Sequence, residues 1–491
     1  MRLSKSRFVA GVQCLKRLYL QVYRPDLAAE PDEGAVAIME QGQLVGIEAQ
    51  KAFPGGVLVD ASHDHLGVAI AITRQLVANP DVPAIFEATF EADNVLVRVD
   101  VLKRDETNSF QILEVKSSTT LKNEYRYDIG IQKQVVTHSG LKVSSACLMH
   151  LNREYVYAGG NYDRSMLFRI LELTPENAID EGESESRARE QLRVLAAPEP
   201  PDVKAGPQCT DPVRCEFFDQ CNEPVPQYHV STLPRIGTKK LDKLAAMNVE
   251  FIHAVADDFP LSGQQLIVRD AVRTGQLWVN PNLAAELNEL KYPVCFMDFE
   301  TVYPALPRFA GMRPYDHIPF QWSVHRMESP GAELQHFEFL ANDNSDPRIP
   351  FIESLLTALQ GAGTIVVYNQ SFEKTRLQEI ADFMPKYASV IGGFLSCVWD
   401  LLPFIRRNVY HPAFGGSYSL KAVLPALVPE MTYEGMAVAE GEAAGIAFMK
   451  MLDPSTLDDD RASLREALLR YCGQDTLATV RILELLVRLV H

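Results

Sequence analysis

The sequence predicts a mixed α/β protein of more than one domain, and three observations support this prediction. The chain has 491 residues, which exceeds what one hydrophobic core usually organises. Strand-like and helix-like patterns alternate in both halves, as in α/β architectures. The proline-rich stretch "APEPPDVKAGPQ" and the segment "NEPVPQYHV" separate the two halves. We therefore expect domains at 1–225 and 290–491, joined by a small helical linker at 226–289.

The elements of the first half follow from hydrophobic periodicity. Helical patterns cover about 5–22, 35–52 and 66–78, because apolar residues recur there every three or four positions. Three strand-like runs come next, "AIFEATFEA", "NVLVRVDVLKR" and "SFQILEVKSS". A helical pattern at about 124–138 and the strand-like run "SSACLMHL" complete the set, so we expect a sheet with helices packed on it.

The second half repeats this mixture of strands and helices. It opens with the strand-like run "YPVCFMDFE", and further strands are expected after it. Helical patterns at 349–359 and 371–383 flank the strand-like run "TIVVYN". A last helix is expected at 462–489, so this half also predicts an α/β domain.

Charge and hydropathy exclude some classes of protein. The formal net charge of −17 argues against a protein whose whole surface binds nucleic acid, although charge acts locally. No apolar run approaches the ~18–20 residues of a membrane span, and the N-terminus lacks the apolar block of a signal peptide. We therefore expect a cytoplasmic protein without membrane contact. Its eight cysteines are then expected to be metal ligands or buried apolar residues rather than disulfides.

The N-terminal segment is basic in spite of the negative net charge. No acid precedes Asp26, and the basic residues before it are Arg2, Lys5, Arg7, Lys16, Arg17 and Arg24. Such a block can neutralise the phosphates of a nucleic acid, and Lys16 and Arg17 are our candidates for that contact. The alternative is a solvated helix face, and the charge alone leaves both interpretations open.

Two carboxylates interrupt an otherwise apolar, strand-forming run, "VCFMDFETVYP" at 294–304. Side chains of a strand alternate between faces, so Asp298 and Glu300 project from the same side. Like charges held together are costly unless a cation neutralises them, and Mg²⁺ or Mn²⁺ takes oxygen ligands. We therefore expect this pair to bind a divalent metal ion.

Further candidate ligands follow on two predicted helices. Glu373 lies in "IVVYNQSFEKTRL", where a strand-like run continues into a helix. Tyr471 and Asp475 lie in "LLRYCGQDTLATV", four residues apart and therefore on one helical face. Together with Asp298 and Glu300, these acids could hold two metal ions about 3.5–4 Å apart, the arrangement used for in-line phosphodiester hydrolysis.

The stretches "DFE", "NQSFE" and "YCGQD" resemble, in this order, the three exonuclease motifs of the DnaQ-like 3′→5′ exonucleases, which have a ribonuclease-H-like fold. The resemblance covers about 290–491, and the Tyr-x-x-x-Asp spacing is that of the tyrosine variant of the family. It implies that Asp298, Glu300 and Asp475 bind metal. It also implies that Tyr471 orients the attacking water.

The middle motif departs from the family pattern. The family usually has Asp at this position, whereas this sequence has Glu373. The longer side chain could still reach a metal ion, and Asp400 in "CVWDLLPF" is the alternative acid.

The first half carries its own group of acids on strand-like runs. Asp100 lies in "VLVRVDVLKR", and Glu114 and Lys116 lie in "FQILEVKSST". Glu114 and Lys116 share a face, and a neighbouring antiparallel strand can bring Asp100 beside them. The acids could hold a divalent metal while the lysine stabilises charge on a phosphate. The alternative is a cross-strand salt bridge of little energetic weight.

Three cysteines lie close together in a Pro- and Asp-containing loop, "QCTDPVRCEFFDQC". Cys209, Cys215 and Cys221 have the spacing C-x5-C-x5-C, and Cys14 is a possible fourth ligand. Four thiolates suit Zn²⁺ or an iron–sulfur cluster. The other cysteines lie in apolar or helical contexts and are expected to fill the core, and they are Cys147, Cys295, Cys397 and Cys472.

An N-terminal cysteine and three clustered cysteines that bracket an Asp…Glu-x-Lys pattern resemble the RecB-type PD-(D/E)XK nucleases, which have a restriction-endonuclease-like fold. The members most similar in pattern are the CRISPR-associated and AddB-like nucleases that close the domain with a [4Fe–4S] cluster. The resemblance spans about 1–225 and implies metal ligands at Asp100 and Glu114, with Lys116 and Gln132 assisting catalysis. It assigns the cluster to Cys14, Cys209, Cys215 and Cys221.

Two positions depart from the RecB-type pattern. Val136 stands where the family's Gln-x-x-x-Tyr has its tyrosine, and Gly46 stands where an upstream histidine is expected. A missing ligand would weaken the metal site of this domain. The order of the two domains also resembles an uncharacterised bacterial family that joins a RecB-like nuclease to a ribonuclease-H-like exonuclease.

The segment "TLPRIGTKKLDKLAAMNVEFIHAVADD" in the linker resembles a helix–hairpin–helix. In that motif the backbone N–H groups near Gly237 would contact a DNA phosphate, with added charge from Lys239, Lys240 and Lys243. The alternative is an ordinary helical linker.

The sequence therefore predicts a metal-dependent nuclease with two phosphodiesterase sites that acts on single-stranded DNA ends in repair or defence. A rival hypothesis is an iron–sulfur scaffold that binds nucleic acid without cleaving it, and Gly46, Val136 and Glu373 support it. A second rival is an exoribonuclease, although no feature of the sequence reads a 2′-hydroxyl.

Overall fold

The computed structural model describes residues 2–61, 65–107, 109–438 and 440–490, and the chain is a mixed α/β protein as expected. Its contacts divide it into two compact units. Unit 1 comprises Met1–Pro224 and Tyr303–Asp316, and unit 2 comprises Val225–Val302 and His317–His491. Within the described residues, no helix is both long enough and apolar enough to cross a membrane.

Unit 1 contains a sheet with helices on both faces. Its strands are β1 (Leu3–Ser4), β2 (Val57–Leu58), β3 (Ala84–Ala92), β4 (Val95–Arg104), β5 (Phe110–Lys116), β6 (Val143–Leu151) and β7 (Phe168–Glu172). Its helices are α1 (Lys5–Gln13), α2 (Leu15–Tyr23), α3 (Glu33–Gln50), α4 (Leu66–Ala78), α5 (Asn123–His138), α6 (Arg164–Leu167), α7 (Glu181–Ala196) and α8 (Phe218–Cys221).

The strand order of the unit 1 sheet is β2-β3-β4-β5-β6-β7, and β1 pairs with β4. Strands β3, β4 and β5 are antiparallel neighbours, whereas β5 and β6 are parallel and α5 crosses between them. Alternate residues pack on opposite faces: Ile112 belongs to the core under α5 and α7, and Leu113 belongs to the core under α3. Glu114 and Lys116 follow the same alternation as Ile112, so they emerge on the α5 face.

The helix expected at 5–22 is interrupted, which corrects the sequence prediction. Cys14 adopts an extended conformation, with φ −160° and ψ 122°, and separates α1 from α2. The side chain of Gln13 donates to the carbonyls of Gln208 and Val213, both at 2.7 Å. The chain therefore turns at Cys14 beside the cysteine loop, a tertiary contact that local helical periodicity does not report.

Unit 2 contains a second mixed sheet and a small two-stranded one. Its strands are β8 (Trp278–Val279), β9 (Val294–Val302), β10 (Ile318–Met327), β11 (Gln335–Leu340), β12 (Thr364–Val367), β13 (Val398–Asp400) and β14 (Val409–Tyr410). Its helices are α9 (Gly237–Ala246), α10 (Gly263–Thr274), α11 (Leu283–Leu287), α12 (Arg348–Ala358), α13 (Ser371–Phe383), α14 (Ala388–Ser396), α15 (Leu401–Asn408), α16 (Leu420–Leu427), α17 (Gly441–Leu452) and α18 (Asp458–Arg488).

The strand order of the main unit 2 sheet is β11-β10-β9-β12-β13, so β9 is central. β9 is antiparallel to β10 and parallel to β12. On β9, Phe296 packs in the core that includes Ala478 and Ile482 of α18, while Met297 packs in the core on the other face with α12 and α13. Asp298 and Glu300 follow the alternation of Phe296, so they lie on the α18 face.

The helical segment at 226–289 lies within unit 2. Val230, Leu244 and Val268 from this segment belong to the same hydrophobic core as Val294 and Phe296 of β9. α10 begins with a capping box, in which Ser262 accepts from the backbone N–H of Gln265 and Gln265 accepts from that of Ser262. These residues therefore share a core with the sheet.

The connection between β9 and β10 belongs to unit 1. Ala305 is buried in the core beneath α3, and its N–H donates to Gln41 Oε1 at 2.7 Å. Tyr157 exchanges backbone hydrogen bonds with this connection, and the Tyr315 hydroxyl donates to the carbonyl of Ser117 at 2.6 Å. The chain thus leaves unit 2 immediately after the acid pair and completes the core of unit 1.

Candidate functional site

Three carboxylates of unit 2 converge on one point. The ligand oxygens of Asp298, Glu300 and Asp475 all lie within 4.8 Å of one another. Alternation along β9 places the first two on one face, and α18 crosses that face with Asp475. Among the His, Cys, Asp and Glu side chains of the described residues, these three are close enough together to hold a metal ion.

The electrostatics of this triad favour a bound cation. Burial, followed by repulsion from Asp475, holds the pKa of Asp298 well above its usual range. Burial and repulsion from the other acids do the same for Glu300. Burial raises the pKa of Asp475 to about 6, although hydrogen bonding from tyrosine hydroxyls opposes the rise. The three carboxylates therefore ionise together only at a cost, and oxygen ligands in this number suit Mg²⁺ or Mn²⁺.

Two tyrosines lie beside Asp475. Tyr471 is 5% exposed and shares the α18 face with Asp475, and burial followed by repulsion from Asp475 raises the pKa of its hydroxyl. The hydroxyl of Tyr433 donates a hydrogen bond to Asp475 Oδ1. Tyr433 was missed by the sequence analysis, because it lies in an irregular segment where no periodicity points to a site.

Glu373 contributes a fourth buried carboxylate next to the triad. It lies in the first turn of α13, it is 3% exposed, and its Oε2 has no hydrogen-bond partner within the described residues. Burial, followed by repulsion from Asp298, raises the pKa of Glu373 to about 9. A buried carboxylate oxygen without a donor is expensive, so this oxygen fits a metal ligand better than a structural acid.

Asp400 is not available as the alternative acid. Its side chain accepts from the backbone N–H groups of Asn369 at 2.9 Å, Gln370 at 3.0 Å and Leu402 at 3.1 Å. Asp400 therefore caps α15 and fixes the loop that precedes α13. Of the two candidate acids for the middle motif, Glu373 is therefore the one with an unpartnered carboxylate oxygen among the described residues.

Two further features border the triad. A Cβ on Gly441 would lie 3.3 Å from Glu300 Oε2, so the first residue of α17 approaches the carboxylate closely. The exposed ammonium of Lys421 partly opposes the rise in the pKa of Glu300 and of Asp475, and it also pairs with Glu440 at 3.6 Å. Neither residue carried a sequence signal, since both reach the site only through tertiary packing.

In unit 1, a second set of charged groups lies on the α5 face of the sheet. Lys116 Nζ is 2.6 Å from Glu114 Oε1 and 2.8 Å from Asp128 Oδ2. Gln132 Nε2 donates to Glu114 Oε2 at 2.7 Å and to Asp128 Oδ1 at 3.0 Å. Asp100 on β4 accepts from the N–H of Val115 at 2.7 Å. The predicted Asp100, Glu114, Lys116 and Gln132 thus belong to one cluster.

Two members of this cluster were not predicted. Asp128 lies four residues before Gln132 on α5, a spacing that could have indicated it. Lys5 belongs to the basic N-terminal block whose role the sequence left open, and its ammonium is 2.9 Å from Glu114 Oε2 and 3.7 Å from both Asp100 Oδ1 and Asp128 Oδ1. Within this block, Lys5 is therefore paired with carboxylates of unit 1.

The charges of the cluster affect one another strongly. Burial opposes ionisation of Glu114, but the ammonium groups of Lys116 and Lys5 hold the pKa of this carboxyl below its usual range. Burial, followed by repulsion from Glu114, raises the pKa of Asp100 to about 7. Gln132 is fully buried, and its Oε1 has no hydrogen-bond partner among the described groups. The cluster therefore holds several charges close together, and at least one of its buried polar atoms, Gln132 Oε1, lacks a hydrogen-bond partner among the described groups.

The positions that depart from the RecB-type pattern carry no polar group here. Val136 is fully buried in the core beneath α5 and α7. Gly46 lies within α3, and a Cβ added to it would meet no atom within 4 Å. Neither residue supplies a ligand.

The four cysteines assigned to a cluster line a single pocket of unit 1. Cys14, Cys209, Cys215 and Cys221 share this pocket with Phe217, and all four are free thiols. In the described part of the chain, no three of these sulfur atoms all lie within 4.8 Å of one another. Thiols are the donor type that Zn²⁺ and iron–sulfur clusters take, but the four sulfur atoms are not gathered as closely as the ligands of one Zn²⁺ ion. Cys147, Cys295 and Cys472 are buried, and Cys397 is half-buried.

The residues expected to contact nucleic acid have varied environments. Lys16 lines the cysteine pocket, and Arg17 Nε donates to Glu216 Oε2 at 2.8 Å. Gly237 begins α9 with φ 58°, Lys239 is exposed, and Lys240 Nζ donates to Gln265 Oε1 at 3.0 Å. Lys239 therefore presents its charge to solvent, whereas Arg17 and Lys240 already have partners.

Comparison with known proteins finds similarity to uncharacterised sequences. A family described as "Domain of unknown function (DUF2779)" matches residues 295–419, which include Asp298, Glu300 and Glu373 but end before α18. The Uncharacterized protein UU173 of Ureaplasma parvum serovar 3 is 22% identical over 216 residues, which are 40% of this chain and 31% of the relative. The match thus spans less than a third of that relative's length.

One solved structure with similarity is described as "Crystal structure of SSO0001". It is 12% identical in sequence, with a TM-score of 0.20, over 40% of this chain and 78% of that chain.

Proposed function

We propose that this protein is a metal-dependent nuclease with two phosphodiesterase sites, a 3′→5′ exonuclease site in unit 2 and a second nuclease site in unit 1. The observation that carries the proposal is the triad Asp298–Glu300–Asp475, whose ligand oxygens lie within 4.8 Å of one another. The unpartnered oxygen of Glu373 beside it adds support. An acid pair on the central strand of a mixed sheet agrees with the proposed ribonuclease-H-like fold.

In unit 2, Asp298, Glu300 and Asp475 would hold Mg²⁺ or Mn²⁺, with Glu373 as a fourth carboxylate. Bound divalent ions in such a site activate water and stabilise the charge that develops on a phosphodiester. Tyr471 would orient the attacking water from its place beside Asp475. Lys421, exposed near the triad, would contact the phosphate of the nucleic acid.

In unit 1, we propose a RecB-like PD-(D/E)XK site on a restriction-endonuclease-like domain. Asp100 and Glu114 would hold the metal ion, while Lys116 and Gln132 position the carboxylates and assist catalysis. The contacts of Lys116 and Gln132 with Glu114, at 2.6 and 2.7 Å, support these roles. The cysteines Cys14, Cys209, Cys215 and Cys221 would bind a [4Fe–4S] cluster, for which Zn²⁺ is the alternative.

The proposed substrate is DNA with single-stranded ends. The supporting features are the exonuclease-type triad, the solvent-exposed Lys239 and Lys243 on α9, and the cation Lys421 at the site. The net charge of −17 confines any nucleic-acid contact to such local patches.

The test uses DNA single strands labelled at the 5′ end, incubated with protein and Mn²⁺ with or without chelator. Asp298→Asn should abolish stepwise trimming from the 3′ end, and adding Glu114→Gln should remove any remaining cleavage. Glu379→Gln on the exposed side of α13 is a matched control and should retain activity. If the wild type binds the labelled DNA without degrading it, the scaffold hypothesis is favoured. Degradation of a labelled RNA strand in place of DNA would favour the exoribonuclease.

A further inference from the structure

The position of Lys5 is fixed by the fold on both sides. Leu3 and Ser4 form β1, which pairs with β4 through Leu3↔Val95 and Ser4↔Leu96, and Leu3 is fully buried. Ser4 then caps α1 by accepting from the N–H of Arg7 at 3.3 Å. Lys5 is the first residue of α1, so its backbone is held between a strand and a capped helix.

α1 is itself anchored to unit 1. Phe8 is fully buried, and its carbonyl accepts from Gln191 Nε2 at 3.0 Å. Gly11 lies so close to the same side chain that a Cβ there would be 2.4 Å from Gln191 Cδ. The direction of the Lys5 side chain into the α5 face is therefore a property of the packed domain and not of a loose terminus.

The ammonium of Lys5 contacts the oxygens that a metal ion would need. It lies 3.1 Å from Glu114 Oε1 and 2.9 Å from Glu114 Oε2. Asp100 Oδ1 and Asp128 Oδ1 are each 3.7 Å away. Among the described ion pairs within 4 Å, those of Lys116 in this cluster join it to Glu114 and Asp128, whereas those of Lys5 also include Asp100. Lys5 thus occupies the space among all three carboxylates, including both proposed metal ligands.

We propose that Lys5 is the resident cation of this cluster, and that a divalent ion binds to Asp100 and Glu114 only by displacing its ammonium. This inference rests on the proposed function of unit 1. The charges agree with an exchange: without Lys5, the three carboxylates and Lys116 carry two net negative charges, which one divalent ion neutralises. In the metal-free protein, the positive charge of Lys5 offsets part of the repulsion among the carboxylates of Asp100, Glu114 and Asp128.

The first test measures Mn²⁺ binding by electron paramagnetic resonance of the free ion. The 491-residue protein carries Asp298→Ala and Asp475→Ala, so that the triad of unit 2 does not contribute. Adding Lys5→Gln should tighten Mn²⁺ binding by about tenfold or more, because a competing charge within 4 Å is removed. Lys103→Gln on β4, an exposed lysine of the same sheet, should leave the affinity unchanged.

The outcomes separate the two proposals. Equal or weaker Mn²⁺ binding by the Lys5→Gln protein, with binding that Glu114→Gln abolishes, would overturn the resident cation and leave the metal site of unit 1 intact. Absence of Glu114-dependent binding in both proteins would overturn the resident cation together with the unit 1 nuclease.

A second measurement needs no substitution at Lys5. Wild-type protein is treated with an amine-acylating reagent in chelator or in saturating Mn²⁺, and the labelled lysines are identified by mass spectrometry. Mn²⁺ should increase labelling of Lys5 several-fold while labelling of Lys103 stays constant. Unchanged labelling of Lys5 at a Mn²⁺ concentration that occupies the Glu114-dependent site would overturn the proposal.

Discussion

The Tyr433 hydroxyl donates a hydrogen bond to Asp475, a residue 42 positions away on α18. This contact and the neighbouring Tyr471 hydroxyl hold the pKa of Asp475 down, yet burial still raises it to about 6. The two tyrosine hydroxyls thus stabilise the ionised form of Asp475, but they add no positive charge to offset the negative charges of the three carboxylates. The remaining excess of negative charge is what a divalent ion would remove.

In the metal-free protein, the contribution of Asp475 to stability should be lost as the pH rises from about 4 to about 6. The pKa of Asp475 is raised from 3.8 to about 6 in the folded state, so its stabilising contribution is complete below about pH 4 and is lost above pH 6. The resulting loss in the free energy of unfolding should be at most about 3 kcal/mol. Because His325 titrates in the same interval with the opposite effect, the decline is measured in chelator as the unfolding free energy of the wild type minus that of Asp475→Asn, and this difference should fall as the pH rises. A decline of equal size in both proteins would contradict the prediction.

Tyr433→Phe should move the same decline to higher pH. Without the donated hydrogen bond, the ionised form of Asp475 loses a stabilising contact and its pKa rises further. The measurement is the unfolding free energy in chelator as a function of pH, compared with wild type. Tyr387→Phe, which removes a tyrosine hydroxyl that contacts Glu353 far from the triad, is the control and should leave the curve in place.

Glu373→Gln should separate metal binding from folding. At neutral pH the raised pKa of about 9 keeps metal-free Glu373 protonated, so a neutral amide should leave the melting temperature in chelator nearly unchanged. Mn²⁺ affinity and 3′ trimming should nevertheless fall at least about tenfold, since an anionic ligand is lost. Glu379→Gln on the same helix should change neither quantity. A lower melting temperature in chelator with full Mn²⁺ affinity would make Glu373 a structural acid.

Asp400→Ala should show the opposite pattern. The side chain of Asp400 accepts three backbone hydrogen bonds, so its removal should cost about 1–2 kcal/mol of unfolding free energy. Mn²⁺ affinity per folded molecule should be retained, as isothermal titration at low temperature would measure. Loss of metal binding in a folded Asp400→Ala protein would return this residue to the list of ligands.

Local periodicity accounts for the parts of the sites that lie on one element. Asp298 and Glu300 alternate along β9, and Tyr471 and Asp475 are one turn apart on α18, so their common faces follow from the sequence. Site residues that lie on other, sequence-distant segments could not be predicted in this way. Tyr433 and Lys5 reach their carboxylates only because distant segments fold back, and such contacts have no sequence period.

The break at Cys14 illustrates the same limit for secondary structure. The apolar spacing of residues 5–22 is helical throughout, and most of the segment is helical in the structure. The interruption depends on the bonds from Gln13 to the cysteine loop about 200 residues later. Gly11 lies within the last turn of α1, but no Gly or Pro occupies the break itself at Gln13, Cys14 and Leu15.

Cys14→Ala should abolish binding of the proposed iron–sulfur cluster and destabilise unit 1. Cys14 lines the same pocket as Cys209, Cys215 and Cys221, and it separates the two helices that pack on this loop. Anaerobically purified wild type should contain iron and sulfide and show a brown absorption that Cys14→Ala lacks, together with a lower melting temperature. Cys397→Ala, in unit 2, should retain both. Colourless protein with stoichiometric zinc would replace the cluster with Zn²⁺, and unchanged metal content and melting in Cys14→Ala would exclude this cysteine as a ligand.

Acidification should destabilise unit 2 through His325. This side chain is 7% exposed, its Nδ1 lies 2.8 Å from Thr476 Oγ1, and its ring stacks on His336. Burial, followed by repulsion from His336 and Arg481, lowers the pKa of His325 from 6.5 to about 4. The unfolded chain therefore takes up a proton below pH 6.5 that the folded protein accepts only near pH 4, so stability falls across this interval by at most about 3 kcal/mol.

His325→Gln should reduce this acid-induced loss, because an amide does not titrate. The change is expected in the difference between the unfolding free energies of variant and wild type, measured in chelator from pH 7 to pH 4. His253→Gln, at an exposed histidine of unit 2, is the control and should follow the wild type. Since Thr476 directly follows Asp475 on α18, protonation of His325 would also weaken a contact of the helix that carries Asp475. An acid-induced loss that is identical in wild type and His325→Gln would contradict the prediction and assign the acid sensitivity to other groups.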